Sequence, residues 1–90
     1  MKEELKTKIE KLCKDLETTH FQEWPTLKDY GVTYKAGRKF CKIIITDGNG
    51  GDRSVWGFIN LTHEKFNEGD VLKAAGWAAP ALNRPRGNLL

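Results

Sequence analysis

The first part of the chain carries apolar residues at the spacing of an α-helix. They recur every three or four positions along one stripe, with charged or polar residues between them. The stripe is narrow and lacks aromatic side chains, and its polar surroundings mix both charges, as is typical of a helix that covers a sheet rather than a membrane-surface or partner-binding helix. The pattern predicts an amphipathic helix over about residues 2–19. Its stripe consists of Leu5, Ile9, Leu12, Cys13 and Leu16.

The second half of the chain changes to the alternating pattern of β-strands. β-branched side chains are frequent there, and in the first run Cys41 and Ile43 alternate with Lys42 and Ile44. Such alternation places one set of side chains on each face of a sheet. The sequence therefore predicts antiparallel strands and an extended tail. The strands cover about residues 38–46, 54–61 and 70–75, and the tail covers 77–90.

A glycine-rich turn over residues 47–52 separates the first two of these strands. It contains an Asp-Gly and an Asn-Gly pair, which are the strongest short-range signals of a β-hairpin. Its glycines also suggest a phosphate-binding loop, but such a loop leads into a helix, whereas this one continues into Arg53, Ser54 and a strand. We therefore favour a hairpin tip.

Residues 20–37 are rich in aromatic side chains and less regular. Pro25 ends any helix there, because the residue before a proline is disfavoured in the helical conformation. Residues 32–36 alternate enough to form a short strand, and Gly31 and Gly37 mark bends. These features add one candidate strand in front of the predicted sheet.

Size and composition indicate one soluble domain over residues 1–90, with a small core. Hydrophobic residues make up 39% and charged residues 30% of the chain, and no apolar run is long enough to span a bilayer. The start of the chain lacks a signal-peptide pattern, so we expect a cytoplasmic location. Cys13 and Cys41 have no Cys or His neighbours at metal-ligand spacing, so we expect buried free thiols. The expected fold class is α+β, an amphipathic helix on a small, twisted antiparallel sheet of three to five strands.

Several short runs of the second half occur in an order that resembles a known group. They are Gly-Arg-Lys-Phe, Ser-Val-x-x-Phe, Gly-Asp-x-x-Lys-Ala-Ala, Trp-Ala-Ala-Pro-Ala and Arg-Gly-Asn, all within residues 36–89. In this they resemble a group of short uncharacterised bacteriophage proteins, in which a lysine stands where this chain has Ala78. That group implies no activity or catalytic residues. In plan, the predicted elements are also similar to small Sm-like and SH3-like barrels, so an open barrel is one expected form of the sheet.

Basic residues gather around the start of the sheet and in the tail, in a chain of formal net charge +3. Aromatic residues lie among them, including Tyr30, Tyr34, Phe40 and Trp77. Cations offset phosphate charge and aromatic rings stack on bases, so this mixture suggests a nucleic-acid surface for DNA or RNA. Solvated strand edges and core aromatics are the simpler alternative. The candidate binding residues are Lys35, Arg38, Lys39, Lys42, Arg84 and Arg86, which form one surface if the tail folds back beside the first long strand.

Other kinds of function have less support in the sequence. A protein-interaction module acting on a host or phage protein through Trp24, Trp56 and Trp77 is the main alternative. A structural homo-oligomer joined through exposed sheet edges is another. No nucleophile stands with a base and an orienting group, so we expect no enzyme activity and no cofactor or metal.

Overall fold

The computed structural model describes residues 2–23, 31–46, 52–82 and 84–90. One helix precedes a sheet of five strands, which confirms the expected α+β fold class. Trp24, Tyr30 and most of the glycine-rich turn lie outside the described residues. The elements are α1 (Glu3–Glu23), β1 (Gly31–Ala36), β2 (Phe40–Thr46), β3 (Asp52–Asn60), β4 (Asp70–Lys73) and β5 (Gly87–Asn88).

The strands form an antiparallel meander in the order β1-β2-β3-β4-β5. Each described strand therefore pairs with its neighbour in the chain, and β1 and β5 lie at opposite edges. The sheet is open and does not close into a barrel. Strand β2 begins at Phe40, later than predicted, because Gly37 donates a backbone hydrogen bond to the Phe40 carbonyl and residues 37–39 form the connecting turn.

Helix α1 covers one face of the sheet with its apolar stripe. Leu5, Ile9 and Cys13 are buried. The acidic residues of the first turn stabilise the helix, because they interact favourably with the positive end of its dipole. The helix continues to Glu23, past its predicted end near residue 19. The Glu17 carboxylate accepts a hydrogen bond from the Val32 amide at 2.8 Å, which fastens the helix to the edge strand β1.

Side chains of the helix and of four strands form the main core between these two layers. Apolar burial of this kind stabilises a fold by about 25 cal/mol per Å² removed from water. Leu12, Leu16, Tyr34, Trp56 and Leu89 pack around its margin. The buried members are Leu5, Ile9, Cys13, Val32, Cys41, Ile43, Ile59, Leu61 and Val71. We call the sheet face that carries these residues the helix-side face.

The opposite face of the sheet, here called the second face, also carries apolar residues. Ile44, Phe58 and Leu72 are buried there, outside the helix-side cluster. They belong to the alternate positions of the strands, as the predicted alternation of β2 requires. The second face is therefore partly covered, by something other than α1.

A β-bulge in β3 alters the alternation that the sequence predicts. Ile43 pairs with Gly57, but Ile44 pairs with Val55, so Trp56 is the extra residue. Strict alternation would place Val55 on the helix side, whereas its pairing puts it on the second face and Trp56 packs against the main core. A side chain at Gly57 would lie 2.6 Å from the Leu72 carbonyl oxygen, so β3 and β4 need glycine there.

The tail folds back along β4 and covers that edge of the sheet. Ala74 pairs with Pro80, the Arg86 amide donates to the Val71 carbonyl, and β5 completes the sheet. This corrects the expectation that the tail lies beside the first long strand. That strand is β2, and β3 and β4 separate it from β5.

A side-chain pair fixes the end of the tail. Asn88 donates to the Asp70 carboxylate at 2.8 Å and to the Glu68 carbonyl, while its own oxygen accepts from the Leu90 amide. Asp70 is buried, and its other oxygen accepts from the Asn67 amide. The Gly-Asp and Arg-Gly-Asn runs noted in the sequence thus hold each other in place, which gives them a structural role.

Candidate functional site: a basic groove at the first hairpin turn

A groove of about 340 Å³ opens beside the turn between β1 and β2. Four of its lining side chains are cationic, and none of the described residues that line it is acidic. Its apolar lining comes from the sheet and from the segment after β4. We call it the basic groove, and it is lined by Lys35, Ala36, Gly37, Arg38, Lys39, Phe40, Lys42, Phe58 and Ala78.

The sheet register brings the lysines of two strands together. Lys35 of β1 pairs directly with Lys42 of β2, and Lys42 pairs in turn with Phe58 of β3. Two like charges directly opposite each other destabilise a sheet. Their pairing therefore concentrates positive potential on the second face, and a bound anion would relieve the repulsion between them.

The turn that presents Arg38 and Lys39 is braced from behind. The Lys39 carbonyl accepts backbone hydrogen bonds from Leu61 at 2.8 Å and from Thr62 at 3.2 Å. The Thr62 hydroxyl donates to the Arg38 carbonyl at 3.0 Å. Because these bonds fix the backbone, the two exposed cations project from a defined position and not from a loose loop.

Two aromatic rings, those of Phe40 and Phe58, line the basic groove, and His63 lies behind Phe40. Phe40 meets Phe58 edge to face, with ring centroids 6.3 Å apart. His63 stacks on Phe40 at 5.4 Å and an angle of 25°. The buried Asn60 amide holds the loop of His63, since it accepts from the His63 amide and donates to the carbonyls of His63 and Asn67.

Trp77 lies at the rim of the groove, on the segment that covers part of the second face. The Lys42 ammonium lies 4.7 Å from the centre of the Trp77 ring, and 49% of the residue is exposed. The amides of Ala75 and Gly76 donate to the Ala79 carbonyl and close the turn that carries the tryptophan. The exposed ring thus has a defined place next to a groove lysine.

The structure brings together four of the predicted binding residues and separates the other two. Lys35, Arg38, Lys39 and Lys42 all line the groove. Arg84 is exposed on the tail, and the Arg86 guanidinium lies over the Trp56 ring at 5.4 Å, where the tail follows β4. The six residues are not one surface, because the tail reaches β4 and stops short of β2.

Sequence reasoning did not point to Phe58, and it noted Ala78 only as the position where the resembling proteins have a lysine. Phe58 comes from a third strand, and only the pairing of β3 with β2 reveals that it lies beside Lys42. Ala78 comes from the segment after β4, whose path depends on contacts remote in the sequence. Of the aromatic residues predicted to accompany the cations, Phe40 and Trp77 are at the groove, whereas Tyr34 packs against the main core.

The described tryptophans do not form a shared surface. Trp56 packs against the helix-side core, and Trp77 lies beside Lys42 on the second face. Trp24 lies outside the described residues. An interaction site built from these tryptophans together therefore has no support in the arrangement of Trp56 and Trp77.

Cys13 of α1 and Cys41 of β2 both lie in the main core, between the helix and the sheet. Both are buried and free, as expected. Burial raises the pKa of the Cys13 thiol to about 11, with a smaller contribution from the Glu17 and Glu10 carboxylates. Burial raises the pKa of the Cys41 thiol to about 12. Both thiols stay protonated at neutral pH, and a protonated buried thiol is a poor nucleophile and metal ligand.

Tyr34 connects β1 to the helix at the same interface. Its hydroxyl donates to the Glu10 carboxylate at 3.3 Å, and partial burial together with this carboxylate raises the pKa of the tyrosine. Within the described ranges, no three His, Cys, Asp or Glu side chains are grouped as a metal site, and no helix is both long and apolar enough to cross a membrane.

Comparison with known proteins places the chain in a family. The profile of a family of unknown function, DUF7717, matches residues 1–90. The chain belongs to that family. No curated protein and no solved structure matches the chain significantly. The family assignment brings no activity with it.

Proposed function

We propose that the protein binds nucleic acid through the basic groove. The observation that supports this most directly is the convergence of Lys35, Arg38, Lys39 and Lys42 on one groove without an acidic lining residue in the described chain. A polyanion gains by contacting closely spaced cations, because each neutralised phosphate releases condensed counterions.

The cations of the groove stand out because charges of both signs are mixed on the helix. The exposed lysines of α1 lie among acidic residues such as Glu3, Glu4 and Glu10. Mixed charges of this kind give a weak net field, whereas a cluster of one sign attracts ligands of the opposite charge. The groove is therefore a better phosphate site than the helix, although the helix carries more lysines.

Salt dependence of binding tests the proposal quantitatively. With four phosphate contacts, affinity falls about 50- to 150-fold between about 50 and 200 mM salt. The variant Lys35→Gln/Lys39→Gln/Lys42→Gln keeps only Arg38, and its affinity should fall only about threefold over the same range. Fluorescence anisotropy with labelled single-stranded and duplex oligonucleotides measures both values.

A matched control removes the same charge from another face. The variant Lys6→Gln/Lys8→Gln/Lys11→Gln changes three exposed lysines of α1 and should keep the wild-type salt slope. Equal weakening by both triple variants would mean that net charge, and not the groove, governs binding. Absence of binding by the wild type at about 50 mM salt would overturn the proposal, because phosphate contacts are strongest at low salt.

A gain of function completes the experiment. Ala78 is exposed and lines the groove, whereas the exposed Ala79 beside it does not. Ala78→Lys should therefore steepen the logarithmic salt slope by about 0.7–0.9 and tighten binding at low salt. Ala79→Lys adds the same charge outside the groove and should leave the slope nearly unchanged.

A further inference from the structure

We infer that the nucleic acid in the basic groove is single-stranded and that one of its unpaired bases stacks on Trp77. The inference rests on the proposed function, since it names the class of nucleic acid and the ring that receives a base. Aromatic stacking is the usual way in which proteins hold single strands, because every base has a π-face.

Trp77 is placed where a base would be when phosphates occupy the groove. Lys42 both lines the groove and lies 4.7 Å from the Trp77 ring centre. A strand whose phosphates contact Lys35 and Lys42 therefore has its next base within reach of the indole. Because the Lys42 ammonium lies over one face of the ring, a base would stack on the opposite face of the indole, and 49% of the residue is exposed.

The other rings of the groove are less available for stacking. Phe58 is buried, and Phe40 is half-buried with His63 stacked against it at 5.4 Å. Burial of Phe58 leaves almost no surface for a base, and His63 already occupies one face of Phe40. Among the described rings that line the groove or lie at its rim, Trp77 therefore has the most exposed surface.

A duplex cannot use this arrangement well. Its bases are stacked on each other inside the helix and present only their edges in the grooves, so a ring on the protein meets sugar and phosphate. The four cations would still attract duplex phosphates. Duplex binding should therefore have the electrostatic component alone, and single-strand binding should have electrostatic and stacking components together.

The experiment compares a thymidine oligomer with an abasic oligomer of the same length, about 12 nucleotides, and a duplex. All carry phosphates, but only the first offers unpaired bases. The wild type should bind the thymidine oligomer about 5- to 150-fold more tightly than the abasic oligomer, which corresponds to about 1–3 kcal/mol for one stacked base. Trp77→Leu keeps an apolar side chain and should abolish this preference without weakening binding of the abasic oligomer.

The outcomes separate this inference from the proposal on which it rests. If the wild type binds all three probes with equal affinity, or Trp77→Leu retains the preference for bases, the stacking site is wrong while nucleic-acid binding stands. If none of the probes binds at about 50 mM salt, the proposed function itself fails. Trp77→Phe, which keeps a ring, should retain part of the preference and so distinguishes stacking from loss of bulk.

Discussion

The two faces of the sheet are built from alternate residues of the same strands, yet they differ in what covers them. On the helix-side face, Cys41 and Ile43 lie under α1 in a continuous apolar core. On the second face, Lys42 and Phe58 border an open groove, and the cover is a short segment that carries Trp77. Stability and candidate function are thus assigned to opposite sides of one sheet.

A small domain can carry a binding surface without losing its fold when packing and binding use different faces of one sheet. A chain of 90 residues buries a modest share of its surface, so it depends on one well-packed layer. Because α1 supplies that layer on the helix side, the cations of the second face can remain solvated. Replacing them should change binding while leaving folding nearly unaffected.

Adjacent isoleucines on opposite faces give the strongest test of this comparison. Ile43 is fully buried in the main core, and Ile44 is buried on the second face. Truncation of a buried isoleucine to alanine costs about 2–5 kcal/mol. We expect the loss of stability to lie near the upper end of this range for Ile43→Ala, because the helix and the sheet that surround the side chain cannot move together to fill the cavity. For Ile44→Ala we expect a loss near the lower end.

Urea unfolding of both variants measures the two free energies of unfolding directly. The pair controls for residue type, strand and sequence position. If Ile44→Ala lost as much free energy of unfolding as Ile43→Ala, or more, the second face would contribute as much to stability as the helix-side core. That result would contradict the division between the two faces.

The features that could be predicted from the sequence are those in which apolar and polar residues repeat at short, regular spacing. The helical stripe from Leu5 to Leu16 and the alternation from Phe40 to Ile45 each repeat within a few residues. The same locality explains why the sequence groups the four cations that line the groove. Lys35, Arg38, Lys39 and Lys42 are near one another in sequence, and any tight turn between two antiparallel strands brings them together.

The features that could not be predicted depend on partners remote in the sequence. The path of the tail depends on Asn88 reaching Asp70, and no periodic pattern records such a pair. The bulge at Trp56 depends on how β3 fits β2 and β4, including the close approach at Gly57. The charge of Arg86 can be read from the sequence, but its position over Trp56 and beside β4 cannot.

The Asn88–Asp70 hydrogen bond, which fixes the end of the tail, should give a stability effect of intermediate size. Asn88→Ala removes the donor to Asp70 and leaves that buried carboxylate with one hydrogen bond fewer. Loss of a partner for a buried polar group costs about 1–3 kcal/mol. Hydrogen exchange should accelerate at the Arg86 and Leu89 amides, which bond to β4 and Gly69, before it accelerates in α1.

This local loosening follows because the tail is held mainly by hydrogen bonds at a sheet edge, with Leu89 packed only at the margin of the main core. Amides in the middle of α1 serve as internal controls, since the main core does not include Asn88. Uniform acceleration across both regions would mean that the tail and the helix unfold as one cooperative unit, which would contradict the separation of the two covers.

The smallest effect at neutral pH concerns the buried thiols of the helix-side face. The pKa of Cys13 is raised from its ordinary value of 9.0 to about 11, and that of Cys41 to about 12. Below about pH 8 both thiols hold their protons in the folded and unfolded chains, so they give no pH dependence. Between pH 9 and 11 the unfolded chain releases these protons first, so the free energy of unfolding falls as pH rises.

Chemical unfolding at a series of pH values from about 8 to 10.5 should show this fall, and it should be shallower in Cys13→Ala/Cys41→Ala, which retains Tyr34 and all the lysines. The comparison of slopes is unaffected by the cavities that the substitutions leave. In the wild type, a thiol reagent at neutral pH should label both cysteines no faster than the protein unfolds. Rapid labelling of folded protein would mean that water reaches the thiols, and the helix-side face would then be as open as the second face.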